Sequence, residues 1–326
     1  MRSFASRLGR ADLLDDLAQV RTHATLDAAP ASTTARLPAL IFNHGYTGPA
    51  EASTSLLEDL ASHGFAVLSV VHPYEASAAR LADGRVVTIL DTAGKLRGPI
   101  QQVLDEWKTE DARMTEVTKA NDRAEQLRIL RAYLAGLDRT GEALRRWVDD
   151  VRAVVRDLSR VPDGARQLAQ RIDASRFGVF GHSMGGVTAG EFCLDEKRCA
   201  AALNLDGIPQ YGSMIDCELK RPFLMVYSAR PGRIGASDAI YRRAASPYYR
   251  VDVRDTRHLD FCDMIFWGGP LRDRGILGGL APERITAITR TIVREYFDET
   301  LGGKRSPLLN RTATLPEVTV HLPRQP

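Results

Sequence analysis

Short, uninterrupted apolar runs alternate with longer amphipathic stretches along most of this chain. LPALIFNH, ending at His44-Gly45, and FAVLSVVHP (65–73) are apolar at consecutive positions. That is the pattern of strands covered on both faces. EASTSLLEDLASHG (51–64), between them, has helical spacing, and Gly64 stops it as a C-terminal cap. RFGVFG (176–181), CAAALNLDG (199–207), PFLMVYSA (222–229) and SPYYRVDVRD (246–255) read as further strands, the last of these closing the series. Helices are expected over 141–158, 183–194 and 281–301. Another is expected over 3–20, where Phe4, Leu8, Leu13, Leu14 and Leu17 share a face. Alternating strands and helices imply the α/β class: a mostly parallel central sheet with helices on both faces.

Three stretches depart from this rhythm. Residues 28–35 are a coil rich in Ala, Pro, Ser and Thr. Residues 74 to about 140 are charged and helical in pattern, with no buried strand, and are expected to form a helical cap or insertion. The tail from about 302 has neither period and is expected to be extended. One domain spanning 1–326 accommodates all of this.

Composition narrows the function by exclusion. The net charge is +3 and no Lys/Arg run could track phosphates, so no nucleic-acid partner is expected. The seven histidines and four cysteines form no metal-binding spacing, so neither metal nor cofactor is expected. Cys193, Cys199, Cys217 and Cys262 are expected to be free thiols, with a Cys193–Cys199 bridge as the alternative. No apolar run is long enough to span a bilayer, and the N-terminus lacks the apolar core of a signal peptide. A cytoplasmic location is the corresponding expectation. The oligomeric state is not legible.

The chemistry centres on FGVFGHSMGG (177–186). Gly181-His182-Ser183-Met184-Gly185 fits G-x-S-x-G, with a strand before it and a helix after it. A sharp strand-to-helix turn lifts the Ser183 hydroxyl clear of the sheet. It also places the Met184 amide at a helix N-terminus, where negative charge is favoured. A serine nucleophile needs a base, and the base needs an orienting acid. His258 and His321 are the two histidines beyond Ser183. His258 follows a strand and is the expected base, whereas His321 lies in the tail. Asp206 ends the next strand and is favoured as the acid, with Asp238 as the alternative. NHGYTG (43–48) supplies a second oxyanion donor, the backbone amide of Tyr46. His44 and His182 are expected to be structural.

LIFNHGYTG, LASHGFAVLSVVHP, GHSMGG, ALNLDG and HLDFCD together resemble the plasma-type platelet-activating-factor acetylhydrolases and their bacterial relatives. The resemblance runs from about residue 38 to 300 and is strongest in these blocks. It implies an α/β-hydrolase fold, a Ser183–Asp206–His258 triad and no metal. It places the acid in the LD pair, at Asp206, and the oxyanion donors at Tyr46 and Met184. It also implies an esterase acting on short acyl groups, such as the acetyl group of a phospholipid. The expected partner is therefore a small ester or lipid. A cutinase-like polyesterase, a lipase or a peptidase of the same fold is the alternative, and a non-catalytic binding protein a more distant one. IFWGGPL (265–271) is expected to pack beneath the His258 loop, with contact to a membrane surface as its other reading.

Overall fold

The computed structural model describes residues 21–30, 36–157, 166–208, 213–244, 247–267 and 269–322. The helix expected over 3–20 and most of the 28–35 coil lie outside these residues. In chain order come strand β1 (Leu37–Asn43), helix α1 (Thr54–Ser62), β2 (Ala66–Val70), β3 (Ala78–Arg80) and β4 (Val86–Thr88). Helices α2 (Gly98–Glu106), α3 (Glu110–Lys119), α4 (Arg123–Leu134) and α5 (Asp138–Arg156) follow. Then come β5 (Ile172–His182), α6 (Met184–Asp195), β6 (Cys199–Leu205), β7 (Phe223–Ser228), α7 (Asp238–Ala244), β8 (Tyr248–Val253), α8 (Pro282–Thr300) and β9 (Val318–His321). Short helical turns occupy some of the connections.

The central sheet has the order β2-β1-β5-β6-β7-β8-β9. Every pairing is parallel except that of β8 with β9. The reason for the uninterrupted apolar runs is visible in β1. Ala39 and Ile41 point into a core beneath α4, α5, α6 and α7, while Leu40 and Phe42 point into a second core beneath α1 and α8. Each fully buried Leu, Ile or Phe of this kind contributes roughly 1.5–3 kcal/mol. α8 supplies Ile285, Ile288, Ile292 and Tyr296 to the second core, at helical spacing. Together these features define the α/β-hydrolase architecture.

The strand order also fixes where a site can form. From β1 the chain moves outward to β2, then returns to place β5 on the other side of β1. The connections leaving the carboxyl ends of β1 and β5 therefore part in opposite directions, opening a crevice between them.

Three expectations need correction. Within 74–140, β3 and β4 form a small antiparallel hairpin with Ala79 and Val87 buried. The tail returns to the sheet as β9, so β8 is not the last strand; His321 pairs with Asp252 at 2.8 Å. Cys193 and Cys199 are bridged, joining the end of α6 to the start of β6. Among the described residues only Cys217 and Cys262 are free. In IFWGGPL, Ile265 and Leu271 are buried and Phe266 is exposed.

Candidate active site

The residues singled out by sequence converge on the crevice. Gly45–Gly48 follow β1, Ser183 follows β5, Asp206 follows β6 and His258 lies beyond β8. Tyr46, Ser183, Asp206 and His258 line one cavity of about 330 Å³.

Ser183 sits at φ 57°, ψ −126°, a conformation costly for any residue with a Cβ. Its amide donates to the Leu205 carbonyl at 2.9 Å, tying the turn to β6. Glycine is required by close approach: a Cβ at Gly185 would run into the Asn43 and His44 carbonyl oxygens. One at Gly207 would run into the carbonyl of Ser183. Three strand ends can therefore meet around Ser183. Met184 is the first residue of α6. Among the described residues, neither its amide nor that of Tyr46 donates to a protein acceptor.

Asp206 is also held at positive φ, 57°. Asn204 stabilises this turn by accepting from the Gly207 amide at 2.7 Å and donating to the Gly207 carbonyl at 2.9 Å. The Asp206 carboxylate is buried and accepts three hydrogen bonds. They come from the Ser228 amide at 2.7 Å, the Ser228 hydroxyl at 2.8 Å and His258 Nδ1 at 2.8 Å. Burial works against its charge. His258, the Ser228 amide and the nearby Arg230 outweigh that and hold its pKa below the usual carboxylate value. Donation from Nδ1 leaves Nε2 as the basic nitrogen of a neutral His258 ring.

The His258 turn is fixed from both sides. Asp260 accepts from the amides of Arg257 and Gly278, each at 2.8 Å. His182 Nε2 donates to the His258 carbonyl at 2.8 Å. Burial, with His258 beside it, lowers the pKa of His182 to about 3, so the ring is neutral. His44 is likewise buried and lowered to about 3, chiefly by burial. It accepts the His72 amide proton at Nε2 (3.2 Å), which leaves Nδ1–H to donate to the Gly45 carbonyl at 2.8 Å. The Thr47 amide donates to Glu75 O at 2.9 Å and the Ser77 amide to Gly48 O at 3.0 Å, clamping the loop after β1 to the chain beyond β2.

Asp238 stands elsewhere. It begins α7, pairs with Arg250 at 2.7 Å and accepts from the Tyr248 hydroxyl at 2.7 Å. Among the described residues no group of three or more acidic, Cys or His side chains could hold a metal, and no helix is long and apolar enough to cross a membrane.

Three features escaped the sequence reading. Ser228 ends β7 beside Asp206, and its only sequence signal is its place at the end of a buried strand. Trp107 walls the cavity, stacked edge-on against Tyr46 at 5.2 Å, with its Nε1–H donated to Thr140 Oγ1 at 3.0 Å. Buried Arg233 binds Glu110 at 2.5 Å and also Asp111, fastening α3 to the loop after β7. These side chains come together only through the topology.

The fold and the comparisons define the class: a carboxylic-ester hydrolase of the α/β-hydrolase type. The ferulic acid esterase from Streptomyces cinnamoneus is similar in structure, with a TM-score of 0.70 at 28% identity, over 94% of this chain and 79% of that one. The family model described as platelet-activating factor acetylhydrolase, isoform II, matches residues 10–234, and the chain belongs to that family. None of the curated proteins matches.

Proposed function

We propose that this protein is a serine esterase working through an acyl-enzyme on short-acyl esters, such as an acetylated phospholipid. Ser183 Oγ attacks the ester carbonyl while His258 Nε2 takes its proton. Asp206 keeps His258 in the required tautomer and stabilises the imidazolium. The amides of Tyr46 and Met184 donate to the oxyanion of the tetrahedral intermediate. The intermediate then expels the alcohol, which takes the proton from His258. Water, deprotonated by the same histidine, releases the acid and restores Ser183.

One observation carries this reading: the 2.8 Å bond from His258 Nδ1 to Asp206, in a cavity that also holds Ser183 on its strained turn. We read the chain as a single hydrolase domain whose insertion, from the β3–β4 hairpin through α4, supplies one wall of the acyl pocket. The aromatic wall of Tyr46 and Trp107 also favours a second reading, esters of aromatic acids, as the name of the structurally similar ferulic acid esterase indicates for that protein. Hydrolysis of p-nitrophenyl acetate, butyrate, octanoate and palmitate, beside an ester of an aromatic acid, separates the two. Preference for acetate supports the first, preference for the aromatic ester the second, and preference for palmitate neither.

A further inference from the structure

Beyond His258 lies a second cavity, of about 730 Å³. Asp111, Arg230, His258 and Leu259 line both it and the Ser183 cavity, so the two adjoin at the histidine. In the proposed mechanism His258 hands its proton to the departing alcohol, and it is the triad member that lines both cavities. Among the described residues no aromatic ring other than the His258 imidazole lines the second cavity.

Its charge is lopsided. Arg230 and Arg257 both line it, and among the described residues Asp111 is the one acid that does. The Asp111 carboxylate is already shared between Arg230, at 3.1 Å, and Arg233. Arg257 has no ion pair among the described residues; its neighbour Asp260 accepts two backbone amides at Oδ2, leaves Oδ1 without a hydrogen-bond partner, and does not line the cavity. A cationic alcohol would find neither a free carboxylate nor an aromatic face there. An oxyanion would find two guanidiniums, whose planar donors suit carboxylate and phosphate alike.

We propose that the second cavity is the leaving-group subsite and that it selects esters whose alcohol carries an anionic group, a carboxylate or a phosphate. The inference rests on the serine-esterase reading above and adds the substrate's charge to it. Arg230 and Arg257 are specificity residues: they touch the alcohol's anion and take no part in bond making.

Matched acetyl esters of para-substituted phenols test this. The para group is a carboxylate, its methyl ester, a phosphate or a trimethylammonium, and each rate is divided by that ester's own hydroxide-catalysed rate. At low ionic strength the carboxylate or the phosphate should exceed the neutral ester in kcat/KM by on the order of tenfold, mainly through KM, and salt should shrink the ratio. In Arg257→Gln, and more fully in Arg230→Gln/Arg257→Gln, the anionic-to-neutral ratio should fall towards one. Arg257→Lys should retain part of it. Preference for the carboxylate alone or the phosphate alone identifies which anion is taken. Equal rates for anionic and neutral esters, a faster cationic ester, or a ratio unchanged in the double variant would overturn the inference while leaving the esterase reading intact. Failure to hydrolyse any of the four would remove both.

Discussion

His182 Nε2 donates to the backbone carbonyl of His258 at 2.8 Å, so the residue preceding the serine holds the turn that presents the histidine. The two rings lie 4.6 Å apart. His182 cannot serve as a second base, because burial lowers its pKa to about 3. Its part is positional. A displacement of about 1 Å at a reacting group can cost about 10²-fold in rate. His182→Ala should therefore lower kcat by roughly 10- to 100-fold with little change in KM, and the pH profile should keep its shape. An unaltered kcat would remove His182 from the account.

Ser228 binds the acid through two groups, and only one is a side chain. Ser228→Ala keeps the amide donor but leaves one carboxylate lone pair of Asp206 unsatisfied in a buried site. Loss of such a bond costs about 1–3 kcal/mol. The variant should melt lower and lose modest activity, whereas Asp206→Asn should lose about 10⁴-fold in kcat by the logic of tautomer control. Asp238→Asn should cost stability through Arg250 and Tyr248 and leave the chemical step intact. Kinetics on all three, with thermal melts alongside, check this ordering.

Trp107 closes the cavity and is locked by Thr140, which in turn donates from its hydroxyl to Glu106 at 2.7 Å. Replacing the indole with alanine should open the pocket. The ratio of octanoate to acetate hydrolysis should rise by about tenfold, and Trp107→Phe should restore most of the original ratio. A profile that drops uniformly for every chain length would show that Trp107 supports the fold and does not measure the substrate.

Glu191, buried on α6, has its pKa raised to about 7, first by burial, with the neighbouring Asp195 acting in the same direction. In the unfolded chain it titrates near 4.5. Between those values the native state holds a proton that the unfolded state has released. This contribution to stability is therefore full below about pH 4.5 and is lost as pH rises through 7. Glu191→Gln removes this dependence. The melting temperature of the variant relative to wild type should thus be higher at pH 8 than at pH 5. A difference independent of pH would contradict the assignment.

The strands that carry the site were legible because both faces of each are covered. Such burial writes itself as an unbroken apolar run, as in Leu37–Asn43 and Phe223–Ser228. The GHSMGG turn was legible because its close approaches exclude side chains at Gly185. Partners separated by topology were not legible. Nothing near Ser228 points to Asp206, and nothing in the tail shows that Val318–His321 will pair with β8. The Cys193–Cys199 bridge had the same obstacle. Its formation depends on a Cα separation of 5.4 Å, set by how α6 turns back into β6, and spacing alone does not specify that.

The most direct test is covalent labelling with a fluorophosphonate, followed by peptide mapping and acetyl-ester hydrolysis on the same sample. The account predicts one adduct per chain, on Ser183, with hydrolysis falling in step with labelling, and neither labelling nor turnover in Ser183→Ala. An adduct on another residue, or acetyl-ester hydrolysis that persists in Ser183→Ala, would contradict it.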